Sequence, residues 1–234
     1  MSRKAMSKEE FKKAFDKIKN KPIQTTRGGD TGVGHTLETL LGLEEDNLDR
    51  PDLGFAELKA HRKGSNALIT LFTFDRKAWL LKQKEVIKKF GYEDDEGRQA
   101  LKFQFRHDGK LTKVGLTLSP NKNKTSVSLI SKNNEVVAEW KLDSLANKFL
   151  QKMPALVVVT AENTKGAKGE EFKYTEAKFY AKPSPELICQ QILAGNVCVD
   201  LRMHIQDEKV RNRGTAFRVY EGAIGDLFGV KEKL

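Results

Sequence analysis

Hydrophobic and polar positions along the chain follow two periods, and the switches between them outline the elements. Phe11, Phe15 and Ile18 recur at helical spacing behind Ser7 and Glu10, which stand in capping-box register, so a helix is predicted over residues 7–20. A glycine-rich stretch, Thr25–Gly34, runs into a second helix whose apolar face is Leu37, Leu40 and Leu41, with Gly42 near its end. Glu38 lies about 100° around from Leu37, at the border of that stripe. A strand follows Pro51 and projects Phe55, Glu57 and Lys59 to one side. A second strand, Ala67 to Phe74, reads as buried on both faces, and a helix carrying Trp79, Leu80, Val86, Ile87 and Phe90 runs to Gly91.

From about 101 to 141 the pattern is a β-meander. Its strands are Leu101–Arg106, Val114–Leu118, Ser126–Ile130 and Glu135–Lys141, separated by turn clusters at 107–109, 120–121 and 133–134. A short helix over 143–151 leads into the apolar strand Ala155–Ala161. After a polar loop at 163–170 come a strand (171–181), a helix (184–194), the strand Val197–Met203 and a last one near Thr215–Val219. No internal repeat or low-complexity linker interrupts the series. The fold class implied is α/β (α+β): one unit, bilobed, with a mixed sheet and an antiparallel extension.

Charge adds a partner to this picture. The 234 residues carry 42 basic and 32 acidic side chains, a net charge of +10, which points to a polyanion. The lysines spread over the N-terminal helix (Lys12, Lys13, Lys17, Lys19, Lys21), residues 76–89, 121–124 and 165–168, which suits a groove along a phosphate backbone better than a basic tail. Cys189 and Cys198 are the only cysteines, and two offer neither a disulfide framework nor a zinc site, so buried thiols are expected. No apolar run is long enough to span a bilayer and the start lacks a secretory apolar region, so a cytoplasmic protein without membrane association is expected.

The most pointed chemistry lies in Pro51-Asp52-Leu53-Gly54-Phe55-Ala56-Glu57-Leu58-Lys59. Pro51 allows the chain to turn Asp52 toward the spot that Glu57 and Lys59 face. Two carboxylates and an ammonium converging on one point serve packing poorly. They suit a hard divalent cation, with the carboxylates as oxygen ligands and the lysine acting on a nearby water, which is the chemistry of metal-dependent phosphodiester hydrolysis. By itself the pattern also describes a solvated strand face. Glu38 reads either as a third carboxylate for that cluster or as an exposed helix-edge glutamate.

Other segments extend the candidates. The loop from Gly28 to Gly34, with Gly32 and Gly34 at its helix end, lacks a P-loop lysine and a dinucleotide fingerprint; it fits close backbone approach to a DNA phosphate or a flexible helix entry. The four histidines show no zinc spacing, but His61 follows Lys59 on the same strand face and is placed to touch DNA or orient the water. Arg202, Arg211, Asn212, Arg213 and Arg218 cluster around a β-hairpin, where guanidinium forks match guanine O6 and N7 or bind phosphates.

Taken together, these residues resemble the MvaI/BcnI family of restriction endonucleases, relatives of the mismatch-repair nickase MutH. The resemblance runs in order through Gly32-Val33-Gly34-His35-Thr36-Leu37-Glu38, Glu44-Glu45-Asp46-Asn47-Leu48-Asp49, Pro51-Asp52, Leu71-Phe72-Thr73 and Asp143-Ser144-Leu145. It continues with Ala161-Glu162, Val199-Asp200-Leu201-Arg202 and Gly214-Thr215-Ala216-Phe217-Arg218, covering roughly residues 5–220 and lying nearer the MvaI branch at Thr73 and 214–218.

This resemblance implies a PD-(D/E)xK core, bilobed around a DNA cleft, with a catalytic lobe centred on about residues 1–95 and a recognition lobe drawn largely from about 100–220. It implies a type II enzyme that cuts double-stranded DNA at a CCNGG-like site as a monomer, one strand after the other. Asp52 and Glu57 would be metal ligands with the Leu58 backbone carbonyl, Lys59 the catalytic lysine, and Glu38 a further active-site carboxylate. Arg202 and Arg218 would contact guanines, with Thr73 also at the DNA. The implied cofactor is Mg²⁺, as one or two ions, with Mn²⁺ as a substitute and Ca²⁺ binding without supporting cleavage; a cognate DNA methyltransferase is expected in the host.

The chain departs from this pattern in two ways. Its loop between Arg202 and Arg211 is shorter, and Arg211-Asn212 stands where relatives place His-Asp. Target preference is therefore not inherited with the fold. A MutH-like nicking endonuclease and a DNA-binding protein without catalysis are the alternatives.

Overall fold

The computed structural model describes residues 5–29, 31–43, 51–64, 68–75, 77–167 and 169–234. In chain order its elements are α1 (Lys8–Ile18), β1 (Pro22–Gln24), α2 (Gly32–Leu40), β2 (Glu57–Arg62), β3 (Ile69–Thr73), α3 (Gln83–Phe90), β4 (Tyr92–Glu93) and β5 (Gln99–Phe105). They continue with β6 (Leu116–Pro120), β7 (Ser126–Ser131), β8 (Val136–Lys141), α4 (Leu142–Lys152), β9 (Ala155–Gly166) and β10 (Gly169–Pro183). The series closes with α5 (Pro185–Leu193), β11 (Val197–Gln206), β12 (Lys209–Asn212), β13 (Ala216–Val219), α6 (Glu221–Ile224) and β14 (Phe228–Lys233). The run from Glu44 to Asp49, together with Ala67, Arg76 and Lys168, lies outside the described residues. No helix among those described is long and apolar enough to cross a membrane.

The chain forms two compact units. The first holds the described residues up to Ile69, then Gln151–Pro183 and Phe228–Leu234; the second holds Thr70–Leu150 and Ser184–Leu227. This boundary differs from the expected division near residues 95–100. The physical reason is strand pairing: β9, β10 and β14 belong to the same sheet as β2, so the chain returns to the first unit twice.

In the first unit the sheet order is β1-β10-β9-β2, with β14 also paired to β10. β2 runs parallel to β9, in the register Glu57↔Leu156, Lys59↔Val158 and His61↔Thr160, while the β10 pairings are antiparallel, so the sheet is mixed. The expected loop at 163–170 is instead the continuation of the β9–β10 hairpin. α1 begins at the foreseen capping box: Glu10 N–H donates to Ser7 Oγ, and Ser7 N–H donates to the Glu10 carboxylate at 2.7 Å. Phe11 and Phe15 of α1, Val33 and Leu37 of α2, Leu58 of β2 and Val157 and Val159 of β9 share one apolar core. Burial of those side chains places α2 against β2.

The second unit has a sheet ordered β3-β13-β11-β5-β4, with β12 paired to β11, and a separate antiparallel meander β6-β7-β8. The expected four-stranded meander is thus three-stranded, because β5 pairs with β11 instead. The helix expected from Trp79 starts only at Gln83, since Trp79 forms a bridge with Ala138 and Leu80 N–H donates to Val137 O. Phe72 stacks on Phe217 at 5.0 Å, and Trp140 meets Phe217 edge-on at 6.0 Å, making an aromatic floor beneath β3 and β13.

The fully buried Tyr174 of β10 donates its hydroxyl to Val33 O of α2 at 2.8 Å, and burial pushes its phenol pKa above the usual range. Tyr174→Phe removes the only hydroxyl in that contact and is expected to lower the unfolding free energy by about 1–2 kcal/mol. Urea denaturation measures this as a lower midpoint with an unchanged slope; an unchanged midpoint would deny the bond any net worth.

Candidate active site and target-reading surface

The motif read from the sequence is assembled by a turn and one strand. Gly54 N–H donates to Pro51 O and Leu53 N–H to Ala56 O, and Gly54 adopts φ +83°, a conformation that disfavours side chains. A Cβ at Gly54 would also lie 2.7 Å from Ala5 Cβ. This turn carries Asp52 back toward β2, where its Oδ2 accepts from Leu58 N–H at 3.1 Å. The strand proper therefore starts at Glu57, and Asp52 reaches it from outside the ladder.

Glu57 is a buried carboxylate, its side chain 3% exposed. Lys59 Nζ donates to Glu57 Oε1 at 2.6 Å and stands 3.9 Å from Asp52 Oδ2. Lys152, at the end of α4, brings a second ammonium to 3.6 Å from Glu57 Oε2. Sequence reasoning missed Lys152. Its only signal is its place just before the apolar strand, and that becomes informative once β9 is known to run parallel to β2.

The donor set fits a hard divalent cation. Glu57 Oε2 is buried without a hydrogen-bond partner, so it keeps lone pairs available beside a second carboxylate. β2 is the edge strand of its sheet among the described residues. A residue's N–H and C=O share one edge of a strand, so the Leu58 carbonyl lies on the edge that its N–H presents to Asp52. Glu38 is half-buried on α2; among the described residues no three His, Cys, Asp or Glu side chains gather closely enough to hold a metal.

Two other expected contact residues also have internal partners. His61 is 6% exposed, with Nε2 3.1 Å from Thr160 Oγ1 and Nδ1 3.2 Å from Arg62 O, so its ring ties β2 to β9. Gly32 is buried, and a Cβ there would meet Arg27 O at 2.2 Å, so the loop leaves no room for a larger residue. Gly34 has open space around its Cβ position.

The arginine cluster lies in the second unit. Register places Asp200 beside Gln104 and Arg202 beside Lys102. With Arg106, Arg213 and Arg218, these residues line a groove of about 860 Å³. Arg218 donates to Asp200 Oδ2 at 2.8 Å. Arg106 stacks over Tyr220 and donates to its hydroxyl. Arg202 donates to the Arg213 and Gly214 carbonyls at 3.2 and 3.3 Å. Thr73 closes the same neighbourhood, 3.4 Å from where a Cβ of Gly214 would stand. Arg211 and Arg213 are exposed and Asn212 is half-buried. Guanidinium donors in such a groove have the chemistry to hold a polyanion and to meet base edges.

No match was found among curated protein sequences. Among solved structures, the fold is similar to the restriction endonuclease MvaI in a complex with its cognate DNA substrate, at a TM-score of 0.81 and 25% identity over 98% of this chain and 99% of that one. It is also similar to MvaI in the absence of DNA, at a TM-score of 0.56 and the same identity and coverage. The family model of the MvaI/BcnI restriction endonucleases matches residues 12–228, so the chain belongs to that family and is a restriction endonuclease, a site-specific deoxyribonuclease.

Proposed function

We propose that the chain is a Mg²⁺-dependent type II enzyme that binds double-stranded DNA and hydrolyses both strands at a short (pseudo)palindromic CCNGG-like site. It acts as a monomer and passes through a nicked intermediate. The observation that carries this reading is the Lys59 ammonium beside two carboxylates, 2.6 Å from Glu57 and 3.9 Å from Asp52. Enzymes of this family use divalent metal ions. Asp52, Glu57 and the Leu58 carbonyl are the groups that would hold one. When bound, Mg²⁺ supplies positive charge at the scissile phosphate and lowers the pKa of the attacking water.

The remaining work falls to the side chains. Lys59 orients the water and stabilises negative charge as it grows on the phosphate oxygens. The water oxygen bonds to phosphorus, one ester P–O bond breaks, and the departing sugar oxygen takes a proton. Lys152 stands on the other side of Glu57, 3.6 Å from Oε2, and keeps the carboxylate in register. In the second unit, the arginine-lined groove reads the target through Arg202, Arg213 and Arg218.

With Mg²⁺, supercoiled plasmid is expected to appear first as nicked circles and then as linear DNA, and EDTA is expected to abolish both steps. A stable dimer in sedimentation, with linear product and no nicked species, would count against the monomeric sequence of cuts. Nicking confined to one strand by methylation state would favour the MutH-like alternative.

Lys59→Ala is expected to reduce the cleavage rate at least about a thousandfold, the scale of losing a group that stabilises transition-state charge. Binding to a duplex in Ca²⁺ should survive that change, and full cleavage by the variant would remove Lys59 from its assigned role. Lys152→Met should cost less, about a hundredfold at most, because it misplaces Glu57 rather than deleting a reacting contact.

A further inference from the structure

A carboxylate that the catalytic reading leaves unused lies just after β3. Asp75 receives three donors: Trp79 Nε1–H at 2.7 Å and Thr215 Oγ1–H at 2.8 Å on Oδ1, and Asn212 Nδ2–H at 2.7 Å on Oδ2. Both ends of the Asn212 amide are engaged, since its Oδ1 accepts from Gly214 N–H at 2.8 Å. The backbone joins the same clamp. Phe74 N–H donates to Thr215 O at 2.9 Å, and Arg202 holds the carbonyls of Arg213 and Gly214. Gly214 itself sits at φ +82°, so the chain turns sharply there.

We infer that Asp75 is a positioning residue for target recognition, holding the turn from Asn212 to Thr215 so that Arg211 and Arg213 are presented in one fixed geometry. This rests on the reading of the arginine groove as the DNA-binding surface. Thr215 is 1% exposed, and Trp79 packs edge-on against Trp140 of the aromatic floor, so the carboxylate is tied to the core and not to another mobile loop. Hydrogen bonds to a carboxylate are stronger than neutral ones, and three on one group fix both its position and the turn. Asn212 consequently influences target choice through the shape of the turn and makes no base contact of its own. The residue type is specified from inside: position 212 must donate to Asp75 and accept from Gly214, which an amide does and a carboxylate does not.

The test swaps the amide and the acid. Asp75→Asn keeps an oxygen for Trp79 and Thr215 but turns an NH₂ toward the NH₂ of Asn212. Asn212→Asp sets two carboxylates against each other. The double variant Asp75→Asn/Asn212→Asp restores a donor facing an acceptor, with an oxygen still available to Gly214. Each protein is used with Mg²⁺ to digest a plasmid of known sequence, and the ends are sequenced to give the distribution of cut sites.

Each single variant is expected to lose about ten- to a hundredfold of the wild-type preference over sites differing by one base pair, the scale of one disrupted base-pair contact. The double variant should recover to within about threefold of wild type, as coupled residues in one network do. Thermal melting checks that each protein is folded. If Asp75→Asn does not fold, Asn212→Ala at its half-buried position carries the test with the same expected relaxation. Single variants that cut with wild-type preference, or a double variant no better than the worse single one, overturn the inference. A wild-type protein that cuts without site preference overturns the reading of the groove, and this inference with it.

Discussion

Glu57 is a buried carboxylate, and the fold supplies it with two ammonium groups. Burying a carboxylate without partners costs several kcal/mol in lost hydration. Here one oxygen receives the Lys59 ammonium at 2.6 Å, while Lys152 stands 3.6 Å from the other. The parallel pairing of β2 with β9 brings the end of α4 to this point, because Glu57 is in register with Leu156, four residues beyond Lys152. The second oxygen is left without a hydrogen bond, which leaves it open to the cation proposed for this site.

The same economy governs the second unit with different chemistry. Its sheet face carries guanidinium groups, and each of several is held by an internal acceptor: Arg218 by Asp200, Arg202 by two carbonyls, Arg106 by Tyr220. Long flexible side chains lose rotamer freedom when they bind, so holding them beforehand lowers that cost. In the proposed reading of the groove, Asp75 extends the principle to the backbone of the turn, and these contacts supply the geometry with which base edges are read.

The local signals in the sequence were largely legible. The capping box of Ser7 and Glu10, the apolar stripe of α2, the apolar strand now seen as β9 and the helix after Ser184 depend on neighbours a few residues apart, and they form where patterning places them. Misreadings arose where a distant partner overrode local preference. Trp79 leaves its helical pattern to bridge Ala138, β5 leaves the meander for β11, and residues 163–166 stay extended because residues 169–172 pair with them. Register is non-local, and no period in the sequence reveals it.

The site divides along the same line. By itself the sequence picked out the candidate cluster, because Asp52, Glu57 and Lys59 fall within one turn and one strand, where strand alternation pairs Glu57 with Lys59 and the turn returns Asp52 to them. It also determined the family, through motifs kept in order. Only the tertiary structure decided that Lys152 joins Glu57, that His61 meets Thr160, and that Asn212 is committed to Asp75. The last two contacts span 99 and 137 residues of chain, and only the packing of helices and sheets brings such positions together.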